Sequence, residues 1–293
     1  METKRLVIPA ADAIIDQYYA VHDHGFIALV DYMGGDSAID RAARTSVGGN
    51  LKERNEGELS RLLGRLMKDR HTSPFEMVEL KFHCSMPIFV ARQWIRHRTA
   101  NVNEYSGRYS KMPCMFYTPE PDNVCYQDQK NKQGRVQPLD KTLARTFVNM
   151  LVDCRDEVTT PVYNWCTERD ISRELARIDL PLSTYTQWYW KIDLHNLLHF
   201  LKLRLEPAAQ FEIRAYAVVM AAMARALAPI TFEHWDNYVL NAVTLSRDAV
   251  EAIRLNQPDM NSYFENVQMI EVPQLDSFPL RDVATIVAEW GQQ

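Results

Sequence analysis

Residues 96–109 read RHRTANVNEYSGRY, the densest run of polar function in the chain. Arg96, Arg98 and Arg108 stand there with Ser106 and Gly107. A guanidinium presents a planar fork that pairs bidentately with phosphate oxygens. Gly107 permits a close backbone approach or a positive φ. Glu104 suits accepting hydrogen bonds from a ribose, or orienting an arginine. The same residues also read as a solvated basic loop with a salt bridge, because surface arginines are common. Composition leaves both readings open.

The surroundings sharpen the choice. From Arg92 to Lys111 there are five basic residues (Arg92, Arg96, Arg98, Arg108, Lys111) and one acid, Glu104, while the whole chain of 293 residues carries a formal charge of −5. A positive patch on an acidic chain suits a small anionic ligand more than a long nucleic acid. Hydrophobic residues at 46% and charged residues at 24% are globular values, which argues against disorder. Ten glycines and fourteen prolines exclude collagen-like and low-complexity classes. The five cysteines are scattered without a CxxC pair. That gives no disulfide framework or zinc spacing and points to a reducing, cytoplasmic setting. The opening METKRLVIPAADAIID carries acids and lacks an apolar run of signal length. No segment approaches about 18 uninterrupted apolar residues, so none is predicted to span a membrane.

Periodicity gives a helix-dominated α+β pattern with a small sheet; the fold expected is a single domain over 1–293, with that sheet mainly antiparallel. Gly25–Met33 reads as a strand, Ser37–Val47 as a short helix, and Glu56–Arg70 as a helix with Leu59, Leu62, Leu63 and Leu66 on one face. His71-Thr72-Ser73-Pro74-Phe75-Glu76 breaks that helix. Met77–Met86 alternates as a strand, with Val78, Leu80, Phe82 and Cys84 on one face and Glu79, Lys81 and His83 on the other. Pro87 opens a helix over Ile88–His97. Thr99–Tyr109 is expected as a loop and Glu120–Pro138 as an exposed insertion. Leu139–Cys166 should be a helix interrupted near Pro161, followed by a helix over Glu168–Ile178. Thr184–Ile192 is aromatic and β-branched, hence a strand. His195–Leu205 and Ala208–Ala228 are helices, the second Ala-rich and a candidate core helix. The tail after Arg247 reads as mostly helical.

Two further clusters carry chemistry. Arg177, Asp193, His195, His199 and Arg204 form one, with His195 and His199 a turn apart on one helix face. A His pair at that spacing can bind metal; it lacks the internal Glu of HExxH, and no third ligand follows from the spacing. Core or capping histidines are the plainer reading. The other is the His71–Glu76 turn. There is neither a GxGxxG nor a P-loop.

RHRTANVNEYSGRY resembles the signature RHRxxSxNExSxR of the flavin-dependent thymidylate synthases, with Asn101 at the usual Ser as the sole mismatch. HTSPFE (71–76), PIFVARQW (87–94), ARxxLP (176–181), FLxLR (200–204) and AQxEIRxYA (209–217) are similar to family blocks, in the family's order. The resemblance covers about residues 25–240. It implies a mixed α/β fold and a homotetramer, with sites shared between subunits, that makes dTMP from dUMP. Methylenetetrahydrofolate would give the carbon and NADPH the reducing power, with tightly bound FAD as mediator and no cysteine nucleophile. It places dUMP contacts on Gln93, Trp94, Ile95, Arg96, Glu104, Tyr105, Ser106, Gly107, Arg108, Arg177 and Arg204, the last as the catalytic residue. It places FAD contacts on Ser73, Arg96, His97, Arg98, Glu104, Asp193, Leu194, His195 and His199, with no metal. Some members carry Asn-x-Arg where this chain has Asp193 and His195, and Asn at His199. Two rivals remain on the residues alone. One is a nucleic-acid module using the arginines with Trp94, Tyr105 and Tyr109; the other is a metal-dependent hydrolase built on His71, His97, His195 and His199.

Overall fold

The computed structural model describes residues 6–48, 54–255 and 269–291. Helix α1 (Pro9–Asp12) precedes strands β1 (Tyr19–Val21) and β2 (Gly25–Met33). Helices α2 (Asp36–Thr45) and α3 (Glu56–Lys68), strand β3 (Glu79–Pro87), helix α4 (Ile88–Trp94) and strand β4 (Asn101–Glu104) follow. A hairpin of β5 (Cys125–Gln127) and β6 (Arg135–Pro138) leads to α5 (Lys141–Cys154), α6 (Thr160–Glu168) and α7 (Arg173–Ala176). Strand β7 (Tyr185–Asp193) feeds α8 (Leu194–Arg204), α9 (Phe211–Leu227), α10 (Pro229–Trp235), α11 (Arg247–Arg254) and α12 (Val283–Gly291). The α+β expectation holds. The main sheet runs β1-β2-β3-β7-β4, and its ladders are antiparallel.

Alternation along β3 does what the sequence predicts. Leu80, Phe82 and Cys84 are buried toward the helices, and Glu79, Lys81 and His83 face the other way. On that polar face Lys81 stands opposite Lys191, a like-charge pairing that disfavours the register. Each lysine instead reaches an acid: Lys81 Nζ lies 3.0 Å from Asp31 and Lys191 Nζ 2.5 Å from Glu79. Helix α9 lies against the apolar face and is buried along most of its length. Its Tyr216 hydroxyl donates to Ser85 O at 2.8 Å. A Cβ on Gly25 would come within 2.1 Å of that hydroxyl, so the approach of helix to sheet requires glycine there.

Several boundaries differ from the sequence reading. Part of the expected loop, Asn101–Glu104, is strand β4, paired with β7. The expected insertion folds as the β5–β6 hairpin. The break in the long helix is a π-helical turn at Arg155–Thr159, while Pro161 sits harmlessly in the first turn of α6. Burial of Arg155 explains the turn: its guanidinium donates to Tyr117 O (2.8 Å) and Thr118 Oγ1 (2.9 Å). The helix expected over Glu168–Ile178 contracts to Arg173–Ala176, because Asp170 takes a positive φ of 53° and ends α6. Pro87 is the cap before α4 and not its first residue. In the tail, α11 and α12 are helical; residues 256–268 lie outside the described residues.

A buried carboxylate joins α2 to α10. Asp36 accepts from Ile230 N (2.9 Å), Thr231 N (3.0 Å) and Thr231 Oγ1 (2.6 Å), capping α10 from the start of α2. Its pKa is raised by burial, against those hydrogen bonds. Removing the carboxylate leaves two amides at the helix N-terminus without their acceptor. Asp36→Ala is therefore expected to lower unfolding stability by about 1–3 kcal/mol, read from urea melts.

Candidate active site

The expected residues gather in two groups within one chain. The first lies where α4 meets α8. Trp94 ends α4 inside a box of rings, with centroids 5.4 Å from Trp188, 5.3 Å from Trp190, 5.3 Å from Phe200 and 5.8 Å from Tyr216. This anchors the following turn, in which His97 N donates to Trp94 O at 3.0 Å. Helix α8 starts at Asp193, whose side chain accepts from Asn196 N (2.9 Å) and Asn196 Nδ2 (2.7 Å). Eleven residues later it delivers Arg204 to His97. Arg204 Nε donates to His97 Nε2 at 3.2 Å. Among the described residues this is the only hydrogen bond or ion pair of that guanidinium, which leaves its terminal amino groups for a ligand.

Burial first, then the Arg204 charge and His199, lower the His97 pKa to about 4. Burial also lowers the Arg204 pKa. Since His97 Nε2 accepts, the ring proton sits on Nδ1. The pair is a half-buried cation beside a neutral imidazole. Beside this pair, His195 and His199 line a cavity of about 530 Å³ with His71, Thr72 and Lys202, against an apolar wall of Phe75, Leu198 and Trp235; the His199 ring centroid lies 6.1 Å from that of His97. Ser73 is exposed near this cavity and is not among its lining residues.

The second group follows β4. Glu104 accepts from Thr186 Oγ1 at 2.8 Å, and Tyr105 N donates to Gln187 O at 2.8 Å. The chain then turns: Arg108 N donates to Ser106 Oγ (3.3 Å) and Tyr109 N to Ser106 O (3.0 Å). Gly107 is buried, and a Cβ there would lie 2.8 Å from Met112 Sδ and 3.1 Å from Arg177 Cδ. Close approach, one of the two roles foreseen for this glycine, is thus the one it plays. Arg108 pairs with Glu174 at 3.3 Å, and both Arg108 and Arg177 are exposed. No hydrogen bond or ion pair among the described residues joins Arg108 or Arg177 to Arg204 or His97.

Trp94 and Leu194 are fully buried in this chain, where they place their neighbours. Asp193 is committed to capping α8. Arg96, Arg98 and Ile95 are exposed on the turn after α4. The sequence reading passed over Thr186 and Lys202, and over Gln210, which accepts from the Gln93 amide. Gln210 lies in the AQxEIRxYA block, the one available signal. Among the described residues no group of three or more His, Cys, Asp or Glu side chains comes together to hold a metal. No described helix is long and apolar enough to cross a membrane. Burial raises the thiol pKa values of Cys84 and Cys114, away from the thiolate a nucleophile needs.

Comparison with known proteins shows the family. A family model described as thymidylate synthase complementing protein matches residues 28–230. A flavin-dependent thymidylate synthase of Wolbachia pipientis is 48% identical over 252 residues, covering 86% of this chain and 88% of the relative. That of Rickettsia bellii is 47% identical over 264 residues, covering 86% and 89%. Crystal structures of a UMP/dUMP methylase, PolB from Streptomyces cacaoi, bound with 5-Br UMP or 5-Br dUMP, are 30% identical, with TM-scores of 0.67 and 0.68. They cover 75% and 74% of this chain and 97% of PolB. Signature, fold and relatives agree, and the chain belongs to the flavin-dependent thymidylate synthase family.

Proposed function

We propose that this protein methylates dUMP reductively to dTMP, with Arg204 as the catalytic residue and FAD as its bound flavin. The observation that carries the reading is Arg204 itself: a partly desolvated cation, steered through Nε by a neutral histidine, with its terminal amino groups free. Uracil methylation builds negative charge on N3 and O2 as C5 becomes nucleophilic. A fixed guanidinium stabilises that charge, and in a water-poor site such a donor contributes several kcal/mol, roughly 3–4 by comparison with oxyanion-hole donors. Arg108, Ser106 and Arg177 bind the phosphate, while Gln93 and Glu104 orient the nucleotide. The raised thiols of Cys84 and Cys114 fit a reaction without a cysteine nucleophile.

The donor set around the α8 cavity fits a flavin: aromatic and apolar walls for a ring system, with histidines, Thr72 and Lys202 for its polar edges and phosphates. Bound there, FAD supplies the hydride chemistry, with NADPH as reductant and methylenetetrahydrofolate as carbon source. His195 and His199 would hold it from the cavity wall, while Arg96, His97 and Arg98, on the turn after α4 and outside that lining, would complete its contacts with Ser73 and Glu104. The site is read as completed by a partner subunit in a homotetramer, as the family resemblance implies. The exposed apolar residues Leu143, Phe147, Met150, Val162 and Trp165 on α5 and α6 support such assembly. The product serves dTTP biosynthesis, a cytoplasmic task.

Three outcomes test this. Arg204→Ala should stay folded and yellow while turnover at saturating dUMP falls by about 10² or more; activity within about threefold of wild type would remove Arg204 from the chemistry. His97 should remain neutral at pH 5.5, with the proton on Nδ1, in ¹⁵N spectra. Its pKa of about 4 lies below the ordinary 6.5, so the unfolded chain binds the extra proton between those values. This group's contribution to stability is thus complete above pH 6.5 and is lost as pH falls toward 4. Arg204→Ala should move the His97 pKa back up. Finally, Arg204→Ala and Arg108→Ala, each nearly inactive alone, should recover up to about a quarter of wild-type activity when co-assembled at random with independent sites. Verified mixed oligomers without recovery would place both arginines on the same chain in each site.

A further inference from the structure

The C-terminal segment lies beyond residues 28–230, the stretch matched by the family model, yet it reaches the nucleotide loop. It first joins the sheet edge: Ala20 N donates to Pro279 O at 2.8 Å, Arg281 N to Tyr18 O at 2.6 Å, and Leu280 bridges Tyr19. Arg281 then grips α12 through Glu289, at 2.5 Å, and also donates to His24 O. Held this way, α12 inserts Ile286 and Trp290, 6% and 8% exposed, into a cluster with Phe26, Tyr117 and Tyr185.

Tyr105 packs on that cluster, its ring meeting Trp290 edge to face at 5.2 Å and 66°. It also packs on a second cluster of Met112, Tyr163 and Ala176. Tyr105 is the residue common to the two. The second cluster is the wall behind the anion-binding turn, because Met112 touches the Gly107 position and Ala176 precedes Arg177. A continuous line of contact therefore runs from Trp290 through Tyr105 to Gly107 and Arg177.

We propose that Trp290 is a positioning residue for the dUMP phosphate, acting through Tyr105 to hold Ser106–Arg108 and Arg177 ready for the anion; this rests on the dUMP reading above. An exposed turn that is ordered before binding does not pay its ordering entropy on binding. The groups that touch the reacting ring carry the chemistry, so loss of the clamp should raise KM and leave kcat.

The test uses the full-length protein with FAD bound. Trp290→Ala should raise the dUMP KM about three- to tenfold, the range an aromatic pair supplies, with kcat, flavin content and oligomeric state unchanged. Trp290→Phe should restore most of the loss. In a Tyr105→Ala background, Trp290→Ala should add no further change in KM. Without ligand, amide exchange over residues 104–112 should quicken in Trp290→Ala and stay slow in Trp290→Phe. If Trp290→Ala does not fold, Trp290→Leu, which keeps apolar volume and loses the ring, is read the same way. An unchanged KM, an undiminished effect in the Tyr105→Ala background, or unchanged exchange over 104–112 would overturn the proposal. Failure of the wild type to turn over dUMP would sink the functional reading instead, and the exchange measurement would still decide whether the clamp exists.

Discussion

The meeting of Trp94 with Trp188, Trp190, Phe200 and Tyr216 is the contact on which the rest of the molecule depends. These five rings come from α4, β7, α8 and α9, and all are buried. Aromatic pairs at such spacing contribute beyond the area they bury, and their geometry is directional. The packing therefore fixes where α4 ends and at what height α8 crosses it. Gln93 precedes the central tryptophan and His97 follows it by one turn; Arg204 follows Phe200 by one turn. Close packing transmits that geometry with little slack, so Arg204 Nε and His97 Nε2 meet although they are 107 residues apart.

Electrostatics follows from the same burial. A guanidinium moved partly out of water loses hydration, and its field is less screened. A neighbouring carboxylate would neutralise it; here the neighbour is an imidazole that burial keeps neutral. The charge is oriented without being cancelled, which is what a group meant to act on a ligand requires. The second group is arranged on the opposite principle. Arg108 and Arg177 stay near water. One is braced by Glu174, the other by the packing of Gly107 against it.

Much of this architecture was legible in the residues. Alternation in β3, the Leu spacing of α3 and the Ala-rich run of α9 each reflect which face must be buried, a property written locally. The elements that escaped are the ones whose reason lies elsewhere in the chain. Asn101–Glu104 is mostly polar and exposed throughout, and becomes a strand only because β7 offers an edge. Arg155–Thr159 widens into a π turn because Arg155 finds acceptors at Tyr117 and Thr118. The end of α6 at Asp170 depends on a left-handed backbone that no motif announced.

By itself the sequence determined the family, the α+β class and the identity of the charged residues, because a long signature and local periodicity depend on neighbours in the chain. Tertiary structure alone decided that Trp94 and Leu194 are core, that His97 is neutral, that His71 joins His195 and His199 at one cavity, and that Trp290 reaches Tyr105. The physical reason is common to all four. Burial, a lowered pKa and a ring contact are set by the atoms that surround a side chain, and those atoms arrive from sequence-distant segments only when the chain has folded.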